Sequence, residues 1–373
     1  MEACCFRKLM PSQSPRFFMN IVFICQVIDQ NHSIQASTLR WIQVLADKKK
    51  VRKVYVIALR AGKYDFNENV EVYVINGKNK LSRLIRFYIY ILNIIKKVKI
   101  NSFFIYQGGP YPALLLPFKL LFNISILQWK AHPYIDYKMQ FYAKYCDDLI
   151  FTSTPNAFPL KLSKVKVIGN GINVAEFKKH EVQNYSGSIL TVGRMMPSKK
   201  IELMIKAIGV CVEKFGKKYR LDIYGPLEGE GSDTIYVQEI KETINHLGLN
   251  DHVQLKGAIN RNELPKTLSK YDLYLNLAST ALDRSVLEAM SCELMVLSSN
   301  PCVEDVLSKD LSMHLMIKSQ DVETLANKII ELLSLNDVFK KSIGEELREI
   351  VVNGHSDISL FDKVISETML IDK

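Results

Sequence analysis

From residue 20 almost to its end, the chain alternates short, continuous apolar runs with longer segments whose apolar side chains recur at helical spacing. A run with no polar face belongs to a strand buried on both sides, and the helices between such strands supply the cover. The alternation therefore points to an α/β fold of mostly parallel, doubly wound sheets.

Strands are predicted at 20–25, 54–59, 70–75, 103–106, 124–129, 149–153 and 165–168, with helices near 37–48, 81–98, 112–122 and 135–146. After Gly169-Asn170-Gly171 the chain turns polar through Lys178-Lys179-His180, and periodicity lapses over 184–187 before Ile189 opens a new strand. The pattern then resumes with strands at 189–192, 221–224, 253–255, 273–277 and 295–298 and helices near 200–214, 235–247, 285–292, 321–333 and 337–352. This predicts an extension over 1–18, one doubly wound domain over 19–183 and a second over 184–354, facing each other across a cleft. A closing helix over 355–373, set off by Asn353-Gly354, caps the second domain or crosses back to the first.

At 373 residues the chain has room for two such cores, and 48% hydrophobic with 24% charged residues is a globular composition. The net charge of +10 favours anionic partners such as phosphates, nucleic acid or an acidic membrane face, without choosing among them. Nucleic acid is set aside because the basic residues do not form an aromatic-interleaved binding module. Seven cysteines with no C-x-x-C pair and no metal-ligand spacing to a histidine read as scattered thiols of a reducing compartment, the cytoplasm. The opening MEACCFRKLMPSQSPRFF has no apolar run of signal-peptide length; it reads as a flexible extension, with a lipidated Cys4-Cys5 anchor as the alternative. The apolar stretches at 84–95 and 111–127 fall short of the ~18 clean residues that a spanning helix needs.

Two strand ends carry the chemistry. The strand at 189–192 runs into Gly193-Arg194-Met195-Met196-Pro197-Ser198-Lys199-Lys200, with a helix beginning near Lys200. Ligands of doubly wound sheets bind at such carboxyl ends, and a helix amino terminus adds N–H groups that favour phosphate. Arg194 can fork two phosphate oxygens and Lys199 can add a point charge, whereas Lys200 reads as solvated. By spacing alone, this Arg and Lys are as readily surface charges.

The second strand end is Leu277-Ala278-Ser279-Thr280-Ala281-Leu282-Asp283-Arg284-Ser285-Val286-Leu287-Glu288. Glu288 can accept both hydroxyls of a ribose. Ser285-x-x-Glu288 is also a capping box, and from spacing alone the cap is the better reading.

In order along the chain, Trp129-Lys130-Ala131-His132, Phe151-Thr152-Ser153-Thr154, Val167-Ile168-Gly169-Asn170-Gly171-Ile172-Asn173, Thr191-Val192-Gly193-Arg194 with Lys199, Ile223-Tyr224-Gly225-Pro226, Leu255-Lys256-Gly257 and Leu287-Glu288-Ala289-Met290 resemble the retaining glycosyltransferases of the GT-B fold, family 4. The resemblance covers nearly the whole chain from Met19. It implies two Rossmann-like domains, acceptor-side first and nucleotide-sugar-binding second, and the metal-free transfer of a hexose-type sugar from a nucleoside-diphosphate sugar to a glycan or lipid-linked acceptor. No cofactor is implied beyond that substrate. It further implies that Arg194 and Lys199 hold the donor diphosphate, Glu288 the ribose, and His132 the side of the transferred sugar. The chain contains no Asp-x-Asp, the motif of metal-dependent sugar transferases of the other main fold.

Departures mark the sugar-facing half. Thr280 stands where the family usually has a first Glu, and Ala281 and Asp283 stand where it has glycines. The form Thr280-x-x-Asp283-Arg284-Ser285 resembles a known subgroup and assigns these residues to the donor site; each reads equally as a turn residue. The loop Asp29-Gln30-Asn31-His32-Ser33 lacks the glycines that let backbone approach a phosphate. Cys292-Glu293 replaces a pair that usually ends in glycine, a structural variation.

The segment from Leu81 to Lys99 is basic and strongly apolar. It fits a helix resting on an anionic membrane, and it fits equally a core helix with charged ends in water. Two competing readings of the whole chain are a sugar-nucleotide epimerase or phosphorylase of the same fold, and a catalytically degenerate partner subunit.

Overall fold

The computed structural model describes residues 18–30, 32, 37–183, 186–216, 218–319 and 321–371. The extension expected over 1–18 and the Cys4-Cys5 pair lie, Phe18 apart, outside the described residues, as do Asn31 and Ser33 of the first loop. Packing separates two compact units, one ending at Phe104 and one starting at Ile105.

The first unit contains β1 (Met19–Ile28), α1 (Ser37–Ala46), β2 (Val51–Ala61), β3 (Val70–Val74) and α2 (Lys80–Lys97), and reaches into β4 (Ser102–Tyr106). Every residue of β1 except Gln26 is buried, as a strand covered on both faces requires. Phe23 stacks on Phe104 at 5.2 Å. The helix α2 starts at a reciprocal capping box between Asn79 and Ser82 and ends with Lys96 and Lys97, which suit the negative end of the helix dipole. It buries Phe87, Ile91 and Ile94, each contributing roughly 1.5–3 kcal/mol of apolar transfer.

The second unit continues through α3 (Tyr111–Phe122), β5 (Ser125–Trp129), α4 (Tyr137–Phe141), β6 (Leu149–Thr152) and β7 (Val165–Val167). The helix predicted over 135–146 is present, but from Tyr142 to Cys146 it widens to a π-helix. Next come β8 (Ser188–Val192), α5 (Ile201–Phe215), β9 (Arg220–Tyr224), α6 (Thr234–His246), β10 (Val253–Gly257), α7 (Leu264–Leu268), β11 (Leu273–Asn276), α8 (Arg284–Ser291) and β12 (Met295–Ser298). The chain closes with α9 (Pro301–Glu304), α10 (Lys309–Leu315), α11 (Val322–Leu333), α12 (Asp337–Ile350) and α13 (Asp357–Ile371).

The strands form two sheets, ordered β3-β2-β1-β4-β5-β6-β7 and β10-β9-β8-β11-β12. Pairing is parallel throughout the second sheet and at β1–β2, β2–β3, β5–β6 and β6–β7 in the first. This is the α/β architecture that the alternation predicts. In the second sheet the chain starts at the central β8, moves outward to β9 and β10, then returns to the other side for β11 and β12. Strand order therefore reverses between β8 and β11, which opens a crevice at their carboxyl ends.

Asn353-Gly354 is not a break. The backbone continues from α12 through a π-helix at Val351–His355, and the extended Ser356 then leads into α13. Ile172 N–H donates to His355 O (2.7 Å), Asp357 N–H donates to Ile172 O (2.9 Å), and Lys166 on β7 pairs with Glu367 on α13 at 3.4 Å. The closing helix thus lies against the last strand of the first sheet.

Candidate functional site

The crevice between β8 and β11 is built by close backbone approach. Gly193 N–H donates to Tyr224 O and Gly225 N–H to Gly257 O, both at 2.9 Å. A Cβ on Gly225 would stand 2.1 Å from Gly193 O, so only glycine fits there. The loop beyond β8 is strapped down by Met195 N–H to Gly231 O (3.1 Å) and Asp233 N–H to Met195 O (2.8 Å). Arg194 is exposed on this loop, its stem packed over Gly231. Pro197–Lys199 makes a single 3-10 turn, and Lys200, at φ 54°, takes the left-handed conformation that redirects the chain into α5.

Lys199 points into the crevice. Its Nζ donates to Asp283 Oδ2 at 2.6 Å, with the two side chains 13% and 21% exposed. Asn276 Nδ2 donates to the same oxygen at 3.0 Å, and Ser298 Oγ donates to Asn276 Oδ1 at 3.0 Å. A small pocket is lined here by Gly193, Arg194, Lys199, Tyr224, Asn276 and Ala278.

Across the crevice, α8 begins two residues before the position that the capping box requires. Its N-cap is Asp283, so Ser285 lies inside the first turn and the Ser285-x-x-Glu288 cap does not form. Ser285 Oγ donates instead to Val192 O at 3.0 Å and lies 2.8 Å from the Tyr274 hydroxyl, which is itself 2.9 Å from Val192 O. Burial pushes the Tyr274 phenol up, so it stays protonated and ties β8 to β11. Because the Asp283 carboxylate is turned toward Lys199, it does not cap α8.

Arg284 does not reach into the crevice. It donates from Nη1 to Asn170 O (2.9 Å) and from Nη2 to Gly171 O (3.2 Å), while Asn170 Nδ2 donates to Leu282 O (3.1 Å). Burial pulls the Arg284 pKa down, and the nearby Glu288 carboxylate opposes that shift. The loop 169–171 is thereby stapled to the start of α8. Thr280 is half-buried in a loop that Asn300 Nδ2 anchors at Ala281 O, 3.2 Å away.

Glu288 is only 4% exposed, and its Oε1 accepts from Arg261 Nη1 at 3.1 Å. Arg261 comes from the turn after β10, with its guanidinium 4.8 Å over the Phe177 ring and Nε 3.4 Å from Glu176 Oε1. His132 lies exposed after β5, and its Nδ1 accepts from Tyr134 N–H at 3.2 Å, which leaves the proton of the neutral ring on Nε2. Its neighbour Ala131 packs against the apolar core under the second sheet. Lys130, next to it, has its pKa lowered by burial, with Asp136 opposing.

Lys199, Asp283 and Ser285 therefore gather at one crevice, with Arg194 at its rim. Glu288 lies one helical turn deeper, and Arg284 is engaged on the neighbouring loop. Sequence reasoning missed Arg261, Asn276, Tyr274 and Lys130. Asn276 and Tyr274 were visible as polar groups in an otherwise apolar strand, whereas nothing near Arg261 in sequence signals Glu288.

Residues 174–350, just under half of the chain, match the family model of the glycosyl transferases group 1. Over 212 residues the chain is 26% identical to the poly(ribitol-phosphate) alpha-N-acetylglucosaminyltransferase of Staphylococcus aureus (strain COL), a stretch covering 54% of this chain and 39% of that protein. The chain thus spans well under two thirds of that relative. Among solved structures, a glycosyltransferase from Rickettsia africae ESF-5 superposes with a TM-score of 0.75 at 17% identity, covering 95% of this chain and 99% of the other. Anabaena HepE in complex with UDP and glucose gives 0.68 at 15% identity, covering 94% and 99%. A variant of S. aureus TarM in complex with Fondaparinux, alpha-GlcNAc-glycerol and UDP gives 0.71 at 12% identity, covering 94% and 100%. At these identities the likeness is one of fold, and the fold is GT-B.

Proposed function

We propose that the chain is a retaining hexosyltransferase of family 4 that moves a sugar from a nucleoside-diphosphate sugar to a glycan or lipid-linked acceptor without a metal ion, in polysaccharide or glycolipid biosynthesis. One observation carries the reading: Lys199 meets a carboxylate in a crevice where an uncapped helix amino terminus and the rim residue Arg194 also converge. Asp283 occupies the position opposite Lys199 that a diphosphate oxygen takes when donor enters. The amino end of α8 adds N–H groups that no side chain caps.

In this reading the bond between the sugar's anomeric carbon and the diphosphate oxygen breaks. Negative charge grows on the departing phosphate, and Lys199 and Arg194 stabilise it more strongly than they do the bound donor. Glu288 accepts the ribose hydroxyls, while Thr280 and Asp283 line the sugar side together with His132. The acceptor hydroxyl enters on the face that the diphosphate leaves and gives up its proton to the phosphate oxygen. Arg284 and Ser285 hold the 169–171 loop and β8 against α8 and so act by positioning the donor site. The Anabaena and S. aureus structures are complexes with UDP, which makes uridine diphosphate the first nucleotide to test. The thiols and positive charge suit work in the cytoplasm, at the inner membrane face.

The test is a screen of nucleoside diphosphates for thermal stabilisation, followed by donor hydrolysis and transfer assays. Stabilisation by one diphosphate and sugar release from its conjugate are expected, with His132→Ala lowering turnover more than nucleotide affinity. Neither stabilisation by any diphosphate nor release from any nucleotide-sugar, with or without acceptor, would leave the degenerate partner as the better account.

A further inference from the structure

The face of α2 opposite its buried side carries an apolar stripe that no part of the first unit covers. Leu81, Ile85, Ile89 and Leu92 are 65%, 52%, 47% and 42% exposed. At 3.6 residues per turn these four fall within an arc of about 80°. Scattered exposed apolar side chains are ordinary, but four aligned on one helix are a surface.

The charge on the helix that carries this stripe has one sign. The sequence of α2 has no Asp or Glu and contributes Lys80, Arg83, Arg86, Lys96 and Lys97. Beyond its ends, Lys78 and Lys99 are exposed, and in an open groove by the helix's carboxyl end Arg52, Lys53, Lys97 and Lys99 outnumber the one acid, Glu68. Glu71 on β3 is already engaged by Lys53 at 2.8 Å and Lys97 at 3.2 Å.

We propose that α2 docks the protein on an anionic lipid bilayer, lying in the interface plane with Leu81, Ile85, Ile89 and Leu92 in the acyl boundary and its lysines and arginines among the headgroup phosphates. A second copy of this chain is disfavoured as the occupant, because apposing two such faces brings like charges together. The capping box at Asn79 and Ser82 and the buried Phe87, Ile91 and Ile94 fold the helix before it binds, so docking carries no cost of folding its backbone. Among the described residues no helix is long and apolar enough to cross a membrane, which fits a helix that lies on one. The inference stands on the surface alone and does not depend on the transferase reading.

Sedimentation of the full chain with phosphatidylcholine vesicles, with and without phosphatidylglycerol, tests it. The protein is expected to pellet with the phosphatidylglycerol vesicles and to be released by salt. Ile85→Ser with Ile89→Ser should lower vesicle binding at least about tenfold, and Arg86→Glu with Lys96→Glu should do the same through charge. All four positions are exposed, so the melting temperature should hold. Wild type that stays in the supernatant overturns the proposal, as does wild-type binding by both double variants. A fall in molecular mass of the Ile85→Ser/Ile89→Ser protein in sedimentation velocity also overturns it, and would assign the stripe to self-association.

Discussion

Arg261 Nη1 stands 3.1 Å from Glu288 Oε1, so a guanidinium from the turn after β10 holds the buried carboxylate of α8 in one orientation. Arg261 is itself fixed between Glu176 and the face of Phe177. A carboxylate at this depth is costly without a partner, and breaking such a pair from one side leaves an uncompensated buried charge.

If Glu288 receives the ribose, the pair decides how well a ribonucleotide is told from its 2′-deoxy analogue. Glu288→Gln is expected to weaken donor binding roughly tenfold and to abolish that preference. Arg261→Gln should reduce the same preference while Arg261→Lys restores part of it, since a lysine keeps the charge but not the fork. Intact discrimination in Glu288→Gln would remove the ribose role, whereas intact discrimination in Arg261→Gln alone would leave Arg261 a purely structural partner.

Lys199 and Asp283 make different predictions, one for turnover and one for binding. Lys199→Ala and Arg194→Ala should each reduce turnover at least about tenfold with the fold intact, since both act on the charge of departure. Asp283→Asn removes the anion that competes with a diphosphate for Lys199, so nucleoside diphosphate affinity should rise several-fold by calorimetry. Weaker binding in Asp283→Asn would mean that the carboxylate orients Lys199 rather than competing for it.

The sheets and long helices were legible because their signal is periodic burial, which a sequence displays residue by residue. The site was legible only in part. Arg194, Lys199 and Glu288 stand at strand ends and on a helix that the pattern located, but the start of α8 falls two residues before the one that the capping box implied, which turns Ser285 from a cap into a clamp on Val192. Arg284 looks like a ligand arginine in sequence and is engaged by the carbonyls of Asn170 and Gly171, a contact across more than a hundred residues. The helices α7, α9 and α10 are too short for a helical period to register. The widening at Tyr142 has no periodic signature at all.

Glu293, just past α8, sits at φ 60°. The left-handed conformation costs an L-residue about 1–2 kcal/mol that glycine is spared. Against this stand its 3.3 Å pair with Lys179, itself 52% exposed and worth under about 1 kcal/mol, and the greater unfolded freedom of glycine. Glu293→Gly is therefore expected to stabilise the protein by roughly 0.5 kcal/mol, read from the urea midpoint. A clear loss of stability would show that the ion pair outweighs the strain.

His355 makes the closure of α13 sensitive to acid. Its carbonyl accepts from Ile172, while its ring is buried with Nδ1 lacking a hydrogen-bond partner. Burial, aided by the charge of Lys363, lowers its pKa from 6.5 to about 4. The folded state therefore keeps the ring neutral where the unfolded chain protonates it. The stability this provides is fully present above pH 6.5, declines as pH falls toward about 4 and levels off below that. Its total is bounded by roughly 3.5 kcal/mol, at about 1.4 kcal/mol per pH unit. His355→Gln removes the titration without removing the backbone bond to Ile172. The stability difference between wild type and variant, from urea unfolding at several pH values, should shift steadily against wild type between pH 6.5 and 4 and be constant above pH 7. Parallel curves across that window would show that the ring is already protonated, or solvated, in the folded protein.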